Sequence, residues 1–244
     1  MSGHSKWATI HRAKEVKDAK KGAIFTKLAM AIVIAVKEGG GITDPEKNFK
    51  LRLTMEKARQ VNMPKENVTR AIEKAVGSSA MQLEEVLFEG FLPGGAGVLV
   101  QALTDNKLRT AQQVREVIEK SGGRMGGSGS VSYMFVMRGE LKAKYSGTAA
   151  KSKDDQELEI IDLGIDEIED GEEGYWWIYC DKDKTFEIKR KLEEAGYSVE
   201  EADLAMKPTT TIEAGAPDTR ERIVNILENL EDLDDVHKVW TNYA

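Results

Sequence analysis

Two apolar periodicities divide this chain of 244 residues. Up to about residue 78 the apolar side chains recur at helical spacing and never alternate as strands do. Beyond Gly77-Ser78-Ser79, short Val- and Leu-rich runs alternate with helical stretches. A helical module followed by mixed strands and helices excludes all-α and all-β architectures and predicts the α+β class.

Three helices are predicted in the first part. Ala23 to Lys37 carries Phe25, Leu28, Ile32, Ala35 and Val36 on one face, and Gly39-Gly40-Gly41 ends it. A second helix has Asp44 as N-cap and Pro45 at its first position, and runs to about Gln60. Asn62-Met63-Pro64 is a stop and restart, after which Val68, Ile72 and Ala75 line a third helix that closes a small bundle. Residues 6–21 form a weakly amphipathic basic arm, with only Trp7, Ile10 and Val16 to bury.

The second part contains one strand-helix order twice. Val86 to Phe91 and Gly97 to Thr104 read as strands around a Pro93-Gly94-Gly95 turn. Asp105 or Asn106 caps a helix to about Lys120, and the glycine-rich stretch Gly122–Gly129 leads to a strand over Ser130–Val136. A strand over Thr209–Glu213, a helix from Asp218 to about Asn229 and a strand over Val236–Tyr243 close the chain. Joining 97–136 to 208–244 gives β-α-β-β-α-β, the split βαβ order of a ferredoxin-like sandwich. Residues 137–207 repeat that order: a strand at Leu141–Tyr145, an acidic helix, a short strand near Ile165–Ile168, a strand at Tyr175–Cys180, a helix over Thr185–Ala195 and a strand at Val199–Ala205. The expected architecture is α+β: a helical bundle (1–78) followed by two ferredoxin-like α/β domains. One of these is discontinuous (79–136 and 208–244) and carries the other (137–207) as an insertion, which surface loops tolerate.

Charge is distributed as unevenly as structure. The first 75 residues hold sixteen Lys or Arg against eight Asp or Glu, a net of +8, while the rest of the chain nets −15. The positive end points to a polyanionic partner. Its candidate contacts are Lys6, Arg12, Lys14, Lys17, Lys20, Lys21 and Lys27, with Lys50, Arg52, Lys57 and Arg59 behind them. Trp7 could stack on a base or anchor the arm on the bundle. A second candidate is the helix start at 105–110, where Lys107 and Arg109 oppose the helix dipole unless an anion docks there; Arg124 could approach the same place. In contrast, 154–173 contains eleven Asp or Glu and no Lys or Arg. The inserted domain is therefore expected to face away from nucleic acid or to meet a basic protein, and a protein-interaction adaptor working through it is an alternative function.

Enzymatic signatures are missing from the sequence. His4, His11 and His237 have no Cys, Asp or Glu at metal-ligand spacing, and the glycine-rich stretch lacks the Lys-Ser/Thr of a P-loop. No nucleophile elbow or GxGxxG fingerprint occurs. The acidic run Glu231, Asp232, Asp234 and Asp235 could hold a divalent ion, but a helix end leading into a strand explains it more simply. No cofactor and no metal are expected. The single cysteine, Cys180, sits in an apolar run and fits a reducing compartment. The most apolar stretch, Leu28–Val36, is too short to span a bilayer, and no secretory signal is recognisable, so a cytoplasmic location without membrane partners is expected.

Several longer motifs resemble one family. They include Gly3-His4-Ser5-Lys6-Trp7, Asp18-Ala19-Lys20-Lys21-Gly22, Asn62-Met63-Pro64-Lys65, and Leu103-Thr104-Asp105-Asn106 with Arg109-Thr110. Gly127-Ser128-Gly129-Ser130-Val131 and Leu230-Glu231-Asp232-Leu233-Asp234-Asp235-Val236 complete the set. In this order they are similar to the YebC/PmpR family. That resemblance implies three domains and a non-enzymatic role in gene expression. It implies a DNA-binding transcriptional regulator or, as in relatives that include a mitochondrial translational activator of cytochrome c oxidase, a factor binding ribosomal RNA.

Overall fold

A computed structural model describes residues 21–77, 83–148, 150–165, 167–213 and 215–244. The chain divides into two compact units, Met1–Val136 with Pro208–Ala244, and Met137–Lys207.

The first unit opens with helices α1 (Lys21–Glu38), α2 (Phe49–Gln60) and α3 (Lys65–Val76). Ile32, Val36 and Leu51 are fully buried between them, each contributing about 1.5–3 kcal/mol of burial energy. Helix α1 ends where Gly40 and Gly41 adopt φ of 68° and 83°, and Gly41 N–H closes back on the Val36 carbonyl at 2.8 Å. The expected N-cap of α2 is corrected. Asn48, not Asp44, caps it: its side chain accepts from Leu51 N–H at 3.1 Å and donates to the carbonyls of Ala35 (2.8 Å) and Ile42 (2.9 Å). A buried amide that satisfies three backbone groups outcompetes the exposed Asp44, which caps only a turn through Glu46 N–H.

The sheet of this unit contains β1 (Glu84–Phe91), β2 (Gly97–Thr104), the two-residue β3 (Arg124–Met125) and β8 (Val236–Thr241), in the order β3-β1-β2-β8. Strand β1 pairs antiparallel with β2 and β3, and β2 with β8; the register of β1 and β2 runs from Glu84↔Thr104 to Phe91↔Gly97. Helices α4 (Lys107–Lys120) and α7 (Pro217–Glu231) bury Val114, Ile118, Ile223, Ile226, Leu227 and Leu230 against one face. On the other face Leu103 joins the core of α1–α3.

Two expected strands are replaced. Ser130–Val136 is not a strand of this sheet: Ser132–Met134 forms a single 3-10 turn, and Phe135 starts β4 (Phe135–Tyr145) in the other sheet. Thr209–Glu213 contributes only an isolated bridge between Ile212 and Tyr243. The central place expected for it is taken by β1. The spatial order is still that of a split βαβ sandwich, with one inner strand contributed from ahead of the others in sequence.

The second unit follows its expected order without permutation. Strands β4, β5 (Glu167–Asp170), β6 (Tyr175–Asp181) and β7 (Tyr197–Pro208) form a sheet of order β5-β6-β4-β7. Alternation on β6 turns Trp176, Ile178 and Cys180 to the side shared with Ala143, Leu141 and Gly139 of β4. Helices α5 (Lys153–Asp162) and α6 (Thr185–Glu194) bury Ile160, Ile188 and Leu192.

Candidate nucleic-acid interface

Of the expected phosphate contacts, Lys6, Arg12, Lys14, Lys17 and Lys20 lie outside the described residues, and Lys21 opens α1. Lys27 has a partner within the fold: its Nζ donates to the Glu231 carbonyl, one of the orphan acceptors in the last turn of α7. Lys50 pairs with Glu38 at 2.6 Å, and Arg52 pairs with Glu46 at 3.6 Å while lying 5.8 Å from the Phe49 ring centroid.

The helix start at 105–110 is built around an internal anion. Asn106 caps α4 by accepting from Arg109 N–H at 3.1 Å. The Arg109 guanidinium then reaches Asp105 at 2.9 Å and Asp235 at 2.8 Å. Asp235 also accepts from Thr110 Oγ1 (2.6 Å) and Thr104 Oγ1 (3.1 Å), both on fully buried or nearly fully buried residues. Burial opposes ionisation of Asp235, yet the bonds from Arg109, Thr110 and Thr104 and the Arg109 charge hold its carboxyl below the usual value. Hydrogen bonding to Asp235 and the Asp235 charge raise the Arg109 pKa in turn. Thus Arg109 is neutralised by the fold, and Asp235 ties the end of β2 to the start of β8. Lys107 remains exposed, with no ion-pair partner among the described residues.

Arg124 does not approach this place. It pairs with Phe91, which stands opposite Gly97, whereas Arg109 contacts Thr104 at the other end of the same strand. Seven residues of strand separate the two, roughly 23 Å. Arg124 instead lies 4.8 Å from the Phe91 ring centroid, beside an open groove of about 400 Å³ formed with the turns at Pro93-Gly94-Gly95 and Gly122-Gly123.

The glycine-rich loop that follows is also filled from within. Glu89, 5% exposed in the middle of β1, accepts from the backbone N–H groups of Gly129 (2.7 Å), Val131 (2.6 Å) and Ser132 (2.8 Å). Burial alone would raise its pKa; the three amides outweigh that and lower it. These donors cannot extend the sheet or receive a phosphate, which accounts for the missing strand at Ser130–Val136.

Some exposed cations have no internal ion-pair partner among the described residues, four of them on α2 and α3. Among the described residues Arg59, Lys65, Arg70 and Lys74 are exposed and have no ion pair. The last three escaped the sequence reading. For Arg70 and Lys74 the available signal was their position off the Val68, Ile72 and Ala75 stripe, which places them on the solvent side of α3; Lys65 is exposed at the helix start. Glu66 and Glu73 interleave with them. Among the described residues no group of three or more His, Cys, Asp or Glu is arranged to hold a metal ion, and no helix is long and apolar enough to cross a membrane.

Comparison with known proteins covers nearly the whole length. Residues 5–78 match the TACO1/YebC protein N-terminal domain, and residues 83–243 match the TACO1/YebC second and third domain. A "probable transcriptional regulatory protein" of Lactobacillus johnsonii is 44% identical over 100% of this chain and 98% of its own. One from Thermotoga maritima, with the same description, is 44% identical over 100% of this chain and 94% of its own. The crystal structure of a conserved hypothetical protein from Aquifex aeolicus superposes with a TM-score of 0.86 at 37% identity, covering 98% of this chain and 97% of that one.

Proposed function

The chain belongs to the TACO1/YebC family, and we propose that it is a non-enzymatic, cytoplasmic, nucleic-acid-binding regulator of gene expression, acting on DNA as a transcriptional regulator. The observation that carries this reading is the charge division, +8 in the first 75 residues against −15 elsewhere. Exposed and unpaired Arg59, Lys65, Arg70 and Lys74 support it, as does the description shared by the relatives from Lactobacillus johnsonii and Thermotoga maritima. With Asp235 and Glu89 occupying the internal anion sites, the partner phosphates fall to the arm, to α2 and α3, and to Lys107.

A second reading is favoured by one feature. Beyond Lys65 at the helix start, the solvent side of α3 carries Arg70 and Lys74 with Glu66 and Glu73 and presents no array of Arg, Asn and Gln suited to base edges. Phosphate is then gripped without sequence being read, which suits ribosomal RNA as well as duplex DNA.

Two variants of the full chain test the reading, one with Lys14, Lys17, Lys20 and Lys21 changed to Gln, the other with Arg59, Lys65, Arg70 and Lys74 changed to Gln. If all four side chains touch duplex phosphates, each variant flattens the log–log salt slope by about 3–4 and weakens every sequence alike. An unchanged slope in both would remove the reading. Sedimentation through a sucrose gradient, with and without nuclease, separates the two targets: ribosome-sized, nuclease-sensitive migration selects RNA. Discrimination of a promoter over scrambled DNA beyond about 10³-fold selects a true operator binder.

A further inference from the structure

Helix α5 of the inserted unit is fixed on one side. Ile160 is fully buried, Trp176 Nε1 donates to Gln156 Oε1 at 3.0 Å, and Tyr197 Oη donates to Glu159 Oε2 at 2.9 Å. Lys151 also holds Glu159, at 2.6 Å. With about 100° between successive residues, Asp154, Glu157, Leu158, Ile161 and Asp162 project from the opposite side. All five are exposed, Leu158 by 63% and Ile161 by 46%.

This is the reverse of an ordinary surface helix, whose solvent side is polar throughout. Two large aliphatic side chains at i and i+3 stand in the middle of the outer face, bordered by carboxylates. The acids nearer the sheet have cations: Glu159 has Lys151, Asp170 has Lys153, and Glu167 and Glu169 have Lys207. Asp154, Glu157 and Asp162 have no cationic partner among the described residues. The border therefore keeps its negative charge, which repels phosphate and excludes nucleic acid as the occupant.

We propose that the outer face of α5 docks a basic amphipathic helix of a partner protein. Apolar residues of that helix, spaced i and i+3 or i+4, cover Leu158 and Ile161, while its Lys and Arg side chains face Asp154, Glu157 and Asp162. Neither nucleic-acid reading requires this surface, so a failure here leaves them intact.

The test uses the full chain and a fluorescent Leu/Lys helical peptide of roughly 18 residues, about 27 Å long. A shuffled peptide of identical composition serves as control. Fluorescence anisotropy at physiological salt should show the patterned peptide binding at least about tenfold tighter than the shuffled one, a difference of about 1.4 kcal/mol. The Leu158→Ser, Ile161→Ser double variant should lose that margin without a fall in melting temperature, because both side chains are already exposed. The Asp154→Asn, Glu157→Gln, Asp162→Asn variant should lose most of the salt dependence, and both variants should bind nucleic acid as the parent does. Equal binding of the two peptides would overturn the proposal, as would double-variant affinity equal to that of the parent. So would self-association of the parent that the double variant abolishes, since the occupant would then be a second copy.

Discussion

Changing Glu89 to Gln isolates the carboxylate that holds the glycine-rich loop. In the parent, one oxygen accepts from Gly129 N–H at 2.7 Å and the other from Val131 and Ser132 at 2.6 and 2.8 Å. A glutamine must turn its NH₂ toward one of these sets. Giving up Gly129 costs less, because Gly129 is exposed and its amide can turn to water, whereas Val131 is fully buried. One charge-assisted bond, worth about 1.5–3 kcal/mol, is then lost, and two others weaken toward the neutral value of about 1 kcal/mol. With relaxation, the expected destabilisation is about 3 kcal/mol. For a domain of 150–250 residues that lowers the melting temperature by roughly 6–12 °C. The pH dependence has a definite sign. The folded pKa of Glu89 lies below its unfolded value, so its contribution is complete above that unfolded value and is lost as pH falls through the folded one. Differential scanning calorimetry of parent and variant should therefore show the full gap at neutral pH and a gap that closes progressively as the pH falls below the unfolded carboxylate range. A gap under about 2 °C at neutral pH would refute the argument, as would one that persists in acid.

Four further substitutions probe the elements around this loop and the helix start. Asp235→Asn should destabilise by about 1–3 kcal/mol in urea titration, because Thr104 and Thr110 lose a charged acceptor. Its effect should fade in acid with the same sign as that of Glu89, since the Asp235 pKa is also lowered. Arg109→Gln should lower the melting temperature, whereas Lys107→Gln should leave it unchanged or slightly raised. Helix-dipole reasoning alone expects neither change to destabilise, so the contrast measures the Asp235 pair. Gly123→Ala should cost about 1–3 kcal/mol, because a Cβ there would meet the Phe91 carbonyl at 2.6 Å and the Ile118 carbonyl at 2.9 Å. Chemical denaturation of that variant checks the last value.

Much of the fold was legible because its elements carry their own periodicity. The inserted unit shows this best: the apolar run on β6 and the apolar spacing on α6 place strand and helix within a few residues of the observed bounds. Neighbour choice was less legible. Val86–Phe91 and Thr209–Glu213 both read as extended, and nothing local says which one enters the centre of the sheet. The answer depends on Glu89, whose side chain diverts residues 129–132 from the ladder, and on β3, which supplies only two residues to the edge. Likewise Asp44-Pro45 has every local mark of a helix start, yet Asn48 prevails through bonds to Ala35 and Ile42 that are distant in sequence.

Site residues follow the same division between local and non-local causes. The sequence shows that cations at 107 and 109 sit badly on a helix dipole, a feature that asks for an anion. It does not show that the chain supplies that anion itself, Asp235 from 126 residues further along, or that Glu89 reaches the glycine-rich loop from 40 residues earlier. Internal neutralisation changes what the basic end can do. A Lys or Arg already paired gains little from a phosphate, because the incoming anion must displace a partner fixed at high effective concentration. On the proposed function, phosphate therefore falls to cations that the fold leaves unpaired. Arg59, Lys65, Arg70 and Lys74, on α2 and α3, have no ion pair among the described residues, while Arg109 and Lys27 are held by Asp235 and the Glu231 carbonyl. In the inserted unit, cations are consumed on the sheet side of α5 and carboxylates remain outside. The cation surplus of the first 75 residues and the unpaired carboxylates on the outer face of α5 are thus separate features, the first proposed to meet phosphate and the second a basic polypeptide.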